Sequence, residues 1–396
     1  MEMNLDSMMM SMADLNRATF QLAEKMVSAT YLDQLYPWLE KTRAYLQAKG
    51  EPPETAQWYS PNQLILEKHK TALRQFIADK KGSPLIIIPP EAGHDSTIVD
   101  YGPGQSLVEA ARDNYAGNVY VLDKLPATFQ DTGYSIDDAI LSVDASLDKI
   151  GEPVNIIGFC QGGWQAAIYT ALFPEKVKSL TVAAGPIDFH AGDAKITEMA
   201  KGLPMGFYEE MVALGGGNMP GAFIVQGFML MNPVDRFLGD DLNLFNHGDD
   251  TEYVQRHTKF QAWYKRYQTV PGLMYLQIVH QLFQENRLIK RKLKILDRVV
   301  DLKTITQPLV LIGGLNDDIT PPAQVMAMKD YVSSKAIDEI LVPAGHIGVF
   351  MGSDIIKNYW PGILKNISAG KIGQKPGQPK QASKQPLSPK TSKATG

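Results

Sequence analysis

Residues 154–163, VNIIGFCQGG, constrain this chain of 396 residues more than any other stretch. A short apolar run (Val154, Asn155, Ile156, Ile157) enters Gly158-Phe159-Cys160-Gln161-Gly162-Gly163, and residues 164–169 continue with a helical pattern. This reads as a buried strand, a tight turn and a helix, with the G-x-C-x-G spacing of a nucleophile elbow in which cysteine stands where serine is usual. The spacing has a steric cause. The nucleophile sits on a strained strand-to-helix turn, so the positions two before and two after it must lack a Cβ if the backbones are to approach. The helix that follows points its N-terminus at the sulfur, which favours an anion there and offers amide N–H groups to a developing oxyanion. The amide of Gln161 is one candidate donor. Cys160 is the one cysteine in the chain. Taken alone it reads equally as a small buried hydrophobe, and its partners decide between the two.

Those partners come late in the chain. Residues 308–314 read as a strand running into Leu315-Asn316-Asp317-Asp318-Ile319-Thr320-Pro321-Pro322, with a helix over about 323–332. A further strand at 339–343 is followed by Ala344-Gly345-His346-Ile347-Gly348-Val349-Phe350. An acid after one late strand and a histidine after the next complete the order nucleophile, acid, base. His346 is then the base that takes the thiol proton, oriented by a carboxylate for which Asp317 and Asp318 are both candidates. The two aspartates as an ordinary turn, and His346 as a satisfied loop histidine, are the structural readings. Three such elements at strand ends in the right order favour the catalytic one.

Earlier segments fit the same plan. A helical stretch is expected over 61–78, then a fully buried strand at Leu85-Ile86-Ile87-Ile88. The loop after it, PPEAGHDS, supplies a second oxyanion amide from Glu91 or Ala92, and His94 there is structural or substrate-contacting. Val119-Tyr120-Val121-Leu122-Asp123 is another strand, preceded by a helix over 105–114. Ser135 caps a helix with Asp138 at the capping-box position, and Ile136, Ile140, Val143 and Leu147 line one face. Strands alternating with helices argue for a mostly parallel sheet covered on both faces, an α/β-hydrolase fold. Residues 190–300 lose that alternation and are read as a helical cap over the site, with Phe228-Met229-Leu230-Met231 either cap surface or ordinary core. The resulting division is an N-terminal helical region at 1–79, core at 80–189 and 301–368, cap at 190–300, and a disordered Lys/Pro/Ser/Gln-rich tail at 369–396.

Composition narrows the function. A content of 44% hydrophobic residues suffices for a large core, and a net charge of −4 provides no basic field for nucleic acid. One cysteine excludes an internal disulfide framework and a cysteine metal site and fits a reducing compartment. No cofactor is called for. The methionine-rich start lacks the basic and apolar regions of a secretory signal, and no stretch approaches the roughly 20 apolar residues of a spanning helix. A cytoplasmic location is the simplest expectation. Residues 1–48 carry Leu15, Ala18, Leu22 and Met26 at helical spacing, which reads as a helix capping the main domain or as an adaptable apolar surface.

GFCQGG, Gln284-Glu285-Asn286-Arg287-Leu288, Val300-Asp301-Leu302-Lys303, the Asp317 to Pro322 turn and GHIGVF together resemble the polyhydroxyalkanoate synthases, nearest the small class III catalytic subunit. AAGPIDF at 183–189 and Gly217-Asn218-Met219-Pro220-Gly221 share that resemblance, which covers about residues 80–360. It implies Cys160 as nucleophile, Asp317 as acid and His346 as general base. It also implies polymerisation of (R)-3-hydroxyacyl-CoA through a cysteinyl thioester, a second synthase subunit or a homodimer, and association with a polyester granule. Asp123-Lys124-Leu125-Pro126 departs from the family's Asp-Trp-Gly stretch. Asp318 stands where the family has histidine after the acid, and Trp164 is also unlike most members. The alternatives are a depolymerase or thioesterase that hydrolyses 3-hydroxyalkanoate esters with the same triad, and a granule-associated protein without enzymatic activity.

Overall fold

A computed structural model of the chain describes residues 56–231 and 240–374. Eight strands form one sheet: β1 (Gln63–Glu67), β2 (Thr71–Ile77), β3 (Gly82–Ile88), β4 (Gly117–Lys124), β5 (Val154–Phe159), β6 (Val177–Ala183), β7 (Leu309–Gly314) and β8 (Ile337–Val342). Their order is β1-β2-β4-β3-β5-β6-β7-β8. β2 runs antiparallel to both its neighbours, and every pair from β4 to β8 is parallel. This order, with the tight turn after the fifth strand, is that of the α/β-hydrolase sheet.

The apolar runs explain the layering. Neighbouring residues on a strand face opposite sides of the sheet, so a strand covered twice must be apolar throughout. Leu85 and Ile87 join Ile157 and Phe159 beneath α1 (Leu107–Asn114) and the last helix of the core (Trp360–Ser368). Ile86 and Ile88 join Ile156 beneath α2 (Ile136–Ile150) and α3 (Gln161–Leu172). Each fully buried aliphatic side chain of this kind contributes about 1.5–3 kcal/mol. α2 begins at the expected capping box, in which Ser135 and Asp138 satisfy each other's backbone N–H groups, and it ends at Gly151 in the left-handed region (φ 84°).

Two expectations are corrected. The stretch at 61–78 is not helical: it is the hairpin β1–β2, turned by the Lys68 N–H bonding to Thr71 O at 2.8 Å. Leu66, Leu73 and Ile77 fall at spacings that suit a helix, and the segment is rich in helix formers. Pairing of β2 along β4, from Thr71 opposite Lys124 to Ile77 opposite Val119, overrides that local preference. The N-terminal helical region therefore does not extend over these residues, and the reading of residues 1–48 lies outside the described residues. The tail also begins later than 369. Ile372 is buried and the Gly373 N–H donates to Asp338 Oδ1 at 3.1 Å, so the chain is still anchored to the core at residues 372–373. The remainder of the tail lies outside the described residues.

Between β6 and β7 the chain leaves the sheet. Residues 190–300 hold α4 (Lys195–Gly202), α5 (Met205–Leu214), α6 (Gly221–Met231), α7 (Asp240–Asn246), α8 (Thr251–Tyr264) and α9 (Gly272–Gln277). α9 runs on into a π-helix, Ile278–Gln284. In α6, Met231 is buried, Phe228 and Met229 are half-buried and Leu230 is exposed, so only the end of this patch joins the core. The core resumes after β7 with α10 (Pro322–Met326), and after β8 with α11 (Gly348–Met351), α12 (Ser353–Asn358) and α13 (Trp360–Ser368).

Candidate active site

Cys160 occupies the turn between β5 and α3 with φ 50° and ψ −115°, a backbone state that a residue with a Cβ adopts only under local constraint. Its N–H donates to Ala183 O at 3.0 Å, and its carbonyl accepts from the Gly163 N–H at 2.9 Å. The glycines around it are steric requirements. A Cβ on Gly158 would lie 2.3 Å from Gly162 O, and one on Gly162 would lie 2.0 Å from Ile88 O. The second contact also shows that the start of α3 touches the exit of β3. Phe159 is fixed from behind by Phe350 and Trp360, with ring centroids 4.9 and 5.5 Å away.

Three strand ends bring Cys160, Asp317 and His346 together, all of them buried. His346 Nδ1 lies 2.8 Å from Asp317 Oδ2, which assigns the Nδ1 proton to that bond and leaves Nε2 for the Cys160 side chain, within hydrogen-bonding reach of the ring. Burial of the imidazole opposes its protonation. The charges of Asp317 and Cys160 outweigh it, and the histidine's pKa is raised well above its usual value. Of the two acids, Asp317 is the one placed against the ring.

Asp317 is itself held. Its Oδ1 accepts from the N–H groups of Ile319 (3.0 Å) and Thr320 (2.8 Å). The Thr320 hydroxyl lies 2.9 Å from Ala184 O, 3.1 Å from Asp317 Oδ2 and 3.0 Å from His346 Nδ1. Thr320 escaped the reading of the sequence. Its signal was the Asp-x-x-Thr spacing from Asp317, in which a carboxylate caps the turn that follows it.

The oxyanion candidates fall in two places. Gln161 is the first residue of α3, so its amide is one of the helix's unsatisfied N–H groups. Glu91 and Ala92 lie in the loop leaving β3, which is fastened at three points to residues 264–268, between β6 and β7. Gly93 O accepts from the Gln268 N–H at 2.7 Å, Asp95 pairs with Arg266 at 3.0 Å, and His94 Nε2 lies 2.9 Å from Tyr264 O. The His94 ring stacks on Trp263 at 4.5 Å.

Burial pushes His94 down to about 4, with its bond to Tyr264 O opposing that shift. The unfolded chain therefore binds this proton more readily than the folded one between pH 6.5 and 4. Stability is lost as pH falls through that window, by at most about 3 kcal/mol for a shift of this size. His94→Phe, which keeps a ring on Trp263, is expected to flatten this part of the acid slope. Urea midpoints at pH 6.5 and 4.5 check it: identical slopes in variant and wild type would refute the assignment.

Among the described residues no cluster of His, Cys, Asp and Glu has the geometry of a metal site, and no helix is long and apolar enough to cross a membrane. The sequence matches the family described as a protein of unknown function, DUF3141, over residues 62–369. It is similar to poly(3-hydroxyalkanoate) polymerase subunit PhaC of Haloferax mediterranei, at 26% identity over 340 residues, covering 84% of this chain and 68% of that protein. The subunit of the same description from Allochromatium vinosum is 25% identical, with 77% of this chain and 88% of the relative covered. Among solved structures, the monoacylglycerol lipase of Paleococcus ferrophilus is similar, with a TM-score of 0.45 and 14% identity, covering 74% of this chain and 98% of that one.

Proposed function

This chain belongs to the DUF3141 family, and we propose that within it the protein is a polyhydroxyalkanoate synthase-like acyltransferase that works through a thioester on Cys160. The observation that carries this reading is the juxtaposition of His346 with Asp317 on one side and Cys160 on the other, at the end of a strained elbow. Similarity to the polymerase subunits over most of the chain supports the substrate class.

The Cys160 thiolate attacks the thioester carbonyl of an (R)-3-hydroxyacyl-CoA. The oxyanion rests on the Gln161 amide and an amide of the Glu91-Ala92 loop. As the bond from carbon to the CoA sulfur breaks, the His346 imidazolium gives its Nε2 proton to the departing thiolate, and CoA leaves as the thiol. The hydroxyl of a second hydroxyacyl unit then gives its proton to His346 and attacks the acyl-Cys160. A new ester forms and the cysteine thiolate is released. Cysteine suits this sequence of steps, because one thioester exchanges for another at little thermodynamic cost and thiolate is a good leaving group in the second step. If water enters in place of the hydroxyl, the same residues hydrolyse the thioester.

The test is the fate of the acyl group. Incubation with (R)-3-hydroxybutyryl-CoA, alone and with a pre-formed hydroxybutyrate oligomer as acceptor, is expected to release CoA and lengthen the oligomer. Release of CoA with only free 3-hydroxybutyrate would replace synthesis by hydrolysis. A protein that released no CoA under either condition would end the acyltransferase reading. The relatives are described as polymerase subunits, so the assay is also run on any complex in which the chain is recovered.

A further inference from the structure

Beside the elbow lies a buried ion cluster that the acyl-transfer steps leave unused. Lys70, Glu91 and Lys124 are each 1–2% exposed. Lys70 Nζ stands 3.0 Å from Glu91 Oε1, an ion pair without the angles of a directed hydrogen bond, and it also donates to Leu125 O. Lys124 Nζ stands 4.0 Å from Glu91 Oε2 and donates to Gln165 Oε1 at 2.8 Å. Two ammonium groups thus share one carboxylate, leaving an excess positive charge in the interior. Moving an ion out of water costs several kcal/mol when its pairing is incomplete, and Lys70 alone would balance the Glu91 carboxylate. A feature that opposes stability in this way points to a role in function.

Its position suggests which role. Glu91 belongs to the loop that carries one set of candidate oxyanion amides. Gln165 lies one helical turn beyond Gln161, which carries the other. Lys124 connects the two sides and is anchored at its own backbone, donating its N–H to Ser96 Oγ and accepting at its carbonyl from Gln268 Nε2, both at 2.8 Å. Resting on the acyl-transfer reading, we infer that Lys124 is a positioning residue: through Glu91 and Gln165 it holds the β3–α1 loop against the nucleophile helix and keeps a positive charge beside the oxyanion site.

The surroundings of Lys124 determine its response to pH. Glu91 faces it from the loop, Lys70 from the β1–β2 turn and neutral Gln165 from α3. Tyr134 feels the same Glu91 charge. Asp123, next in the chain, is occupied by Arg74 at 2.7 Å, and Asp95 by Arg266. Burial pushes the Lys124 ammonium down to about 8, with Glu91 opposing that shift and Lys70 adding to it. The excess charge is therefore present at neutral pH and is lost as pH rises past that value.

The experiment uses the full chain and compares wild type, Lys124→Met and Gln165→Met. Three quantities are measured: the rate of Cys160 acylation by p-nitrophenyl butyrate and by (R)-3-hydroxybutyryl-CoA, the rate of Cys160 alkylation by iodoacetamide, and the thermal midpoint. Alkylation forms no oxyanion and serves as the control. Both variants are expected to lose acylation by about 10- to 100-fold, within the range for disturbing one oxyanion donor. Alkylation should stay within about twofold, and the thermal midpoint shows that each variant is folded. The wild-type fall in acylation above pH 8 should be absent from Lys124→Met. Unchanged acylation, or a loss that alkylation shares, would overturn the inference. If Lys124→Met does not fold, the cluster is structural, and Gln165→Met with normal acylation overturns the role independently. Wild type that accepts the nitrophenyl ester but not the CoA thioester refutes the substrate class alone, and the comparison then stands on the ester. Refusal of both refutes the two together.

Discussion

Cys160→Ala is expected to lower CoA release from (R)-3-hydroxybutyryl-CoA by about 10⁴-fold or more, as when the nucleophile of a triad is removed. The acyl-enzyme should vanish with it. Because Cys160 is the only cysteine of the chain, an added acyl mass on the intact protein, labile to hydroxylamine, reports on that residue without mapping. The variant should fold. The side chain removed is small and 8% exposed, the backbone bonds from residue 160 to Ala183 and Gly163 do not involve it, and alanine meets the same positive φ as cysteine does. Circular dichroism and the thermal midpoint establish that the fold is retained. A folded alanine variant that still released CoA at the wild-type rate would remove Cys160 from the reaction and the triad with it. Thioester turnover would then need another nucleophile or direct attack by water, and neither follows from the geometry at the elbow.

The elbow was legible because its requirements are local. Gly158 and Gly162 are fixed by contacts inside a strand-turn-helix unit and with the adjoining exit of β3, and a chain carries such constraints in its spacing. The long buried strands were legible for a similar reason: Leu85 to Ile88 are apolar on both faces because helices cover both. The β1–β2 hairpin was not, since Leu64, Leu66, Leu73 and Ile77 in a short segment satisfy a period of two about as well as one of 3.6. Only the partner strand β4, about 50 residues away, decides the outcome. The two aspartates after β7 could not be separated by position either. Asp317 is selected because the N–H groups of Ile319 and Thr320 fold back on its carboxylate and aim it at His346. The lysine of Asp123-Lys124-Leu125-Pro126 stood out as a departure from the synthase pattern. Its burial depends on Lys70, Glu91 and Gln165, which lie on other elements and give the stretch itself no signal.

Asp317→Asn is expected to cost about 10² to 10⁴ in kcat/KM while leaving the loop in place. The asparagine Oδ1 can still accept from the Ile319 and Thr320 N–H groups, which the carboxylate satisfies now. What changes is the atom facing the ring. An amide N–H directed at His346 Nδ1 makes that nitrogen an acceptor and moves the proton to Nε2, the side that must receive the proton of Cys160. The charge disappears as well. Asp317 is the first of the influences that raise His346 against the opposing effect of burial, so without it the imidazolium loses its proton at a lower pH. The alkaline limb of thioester turnover should shift to more acidic pH in the variant. The same residue links to stability, and the sign follows from the raised pKa. Stabilisation by the imidazolium is complete below the unfolded histidine value of about 6.5 and is lost as pH rises from there through the folded value. Wild type minus Asp317→Asn, from urea midpoints at steps between pH 6 and 9, should therefore decline with rising pH. Taking the difference cancels Lys124, whose depressed pKa adds stability as pH rises above about 8 in both proteins. A difference that did not change with pH, or a variant as active as wild type, would mean that Asp317 neither charges nor orients His346.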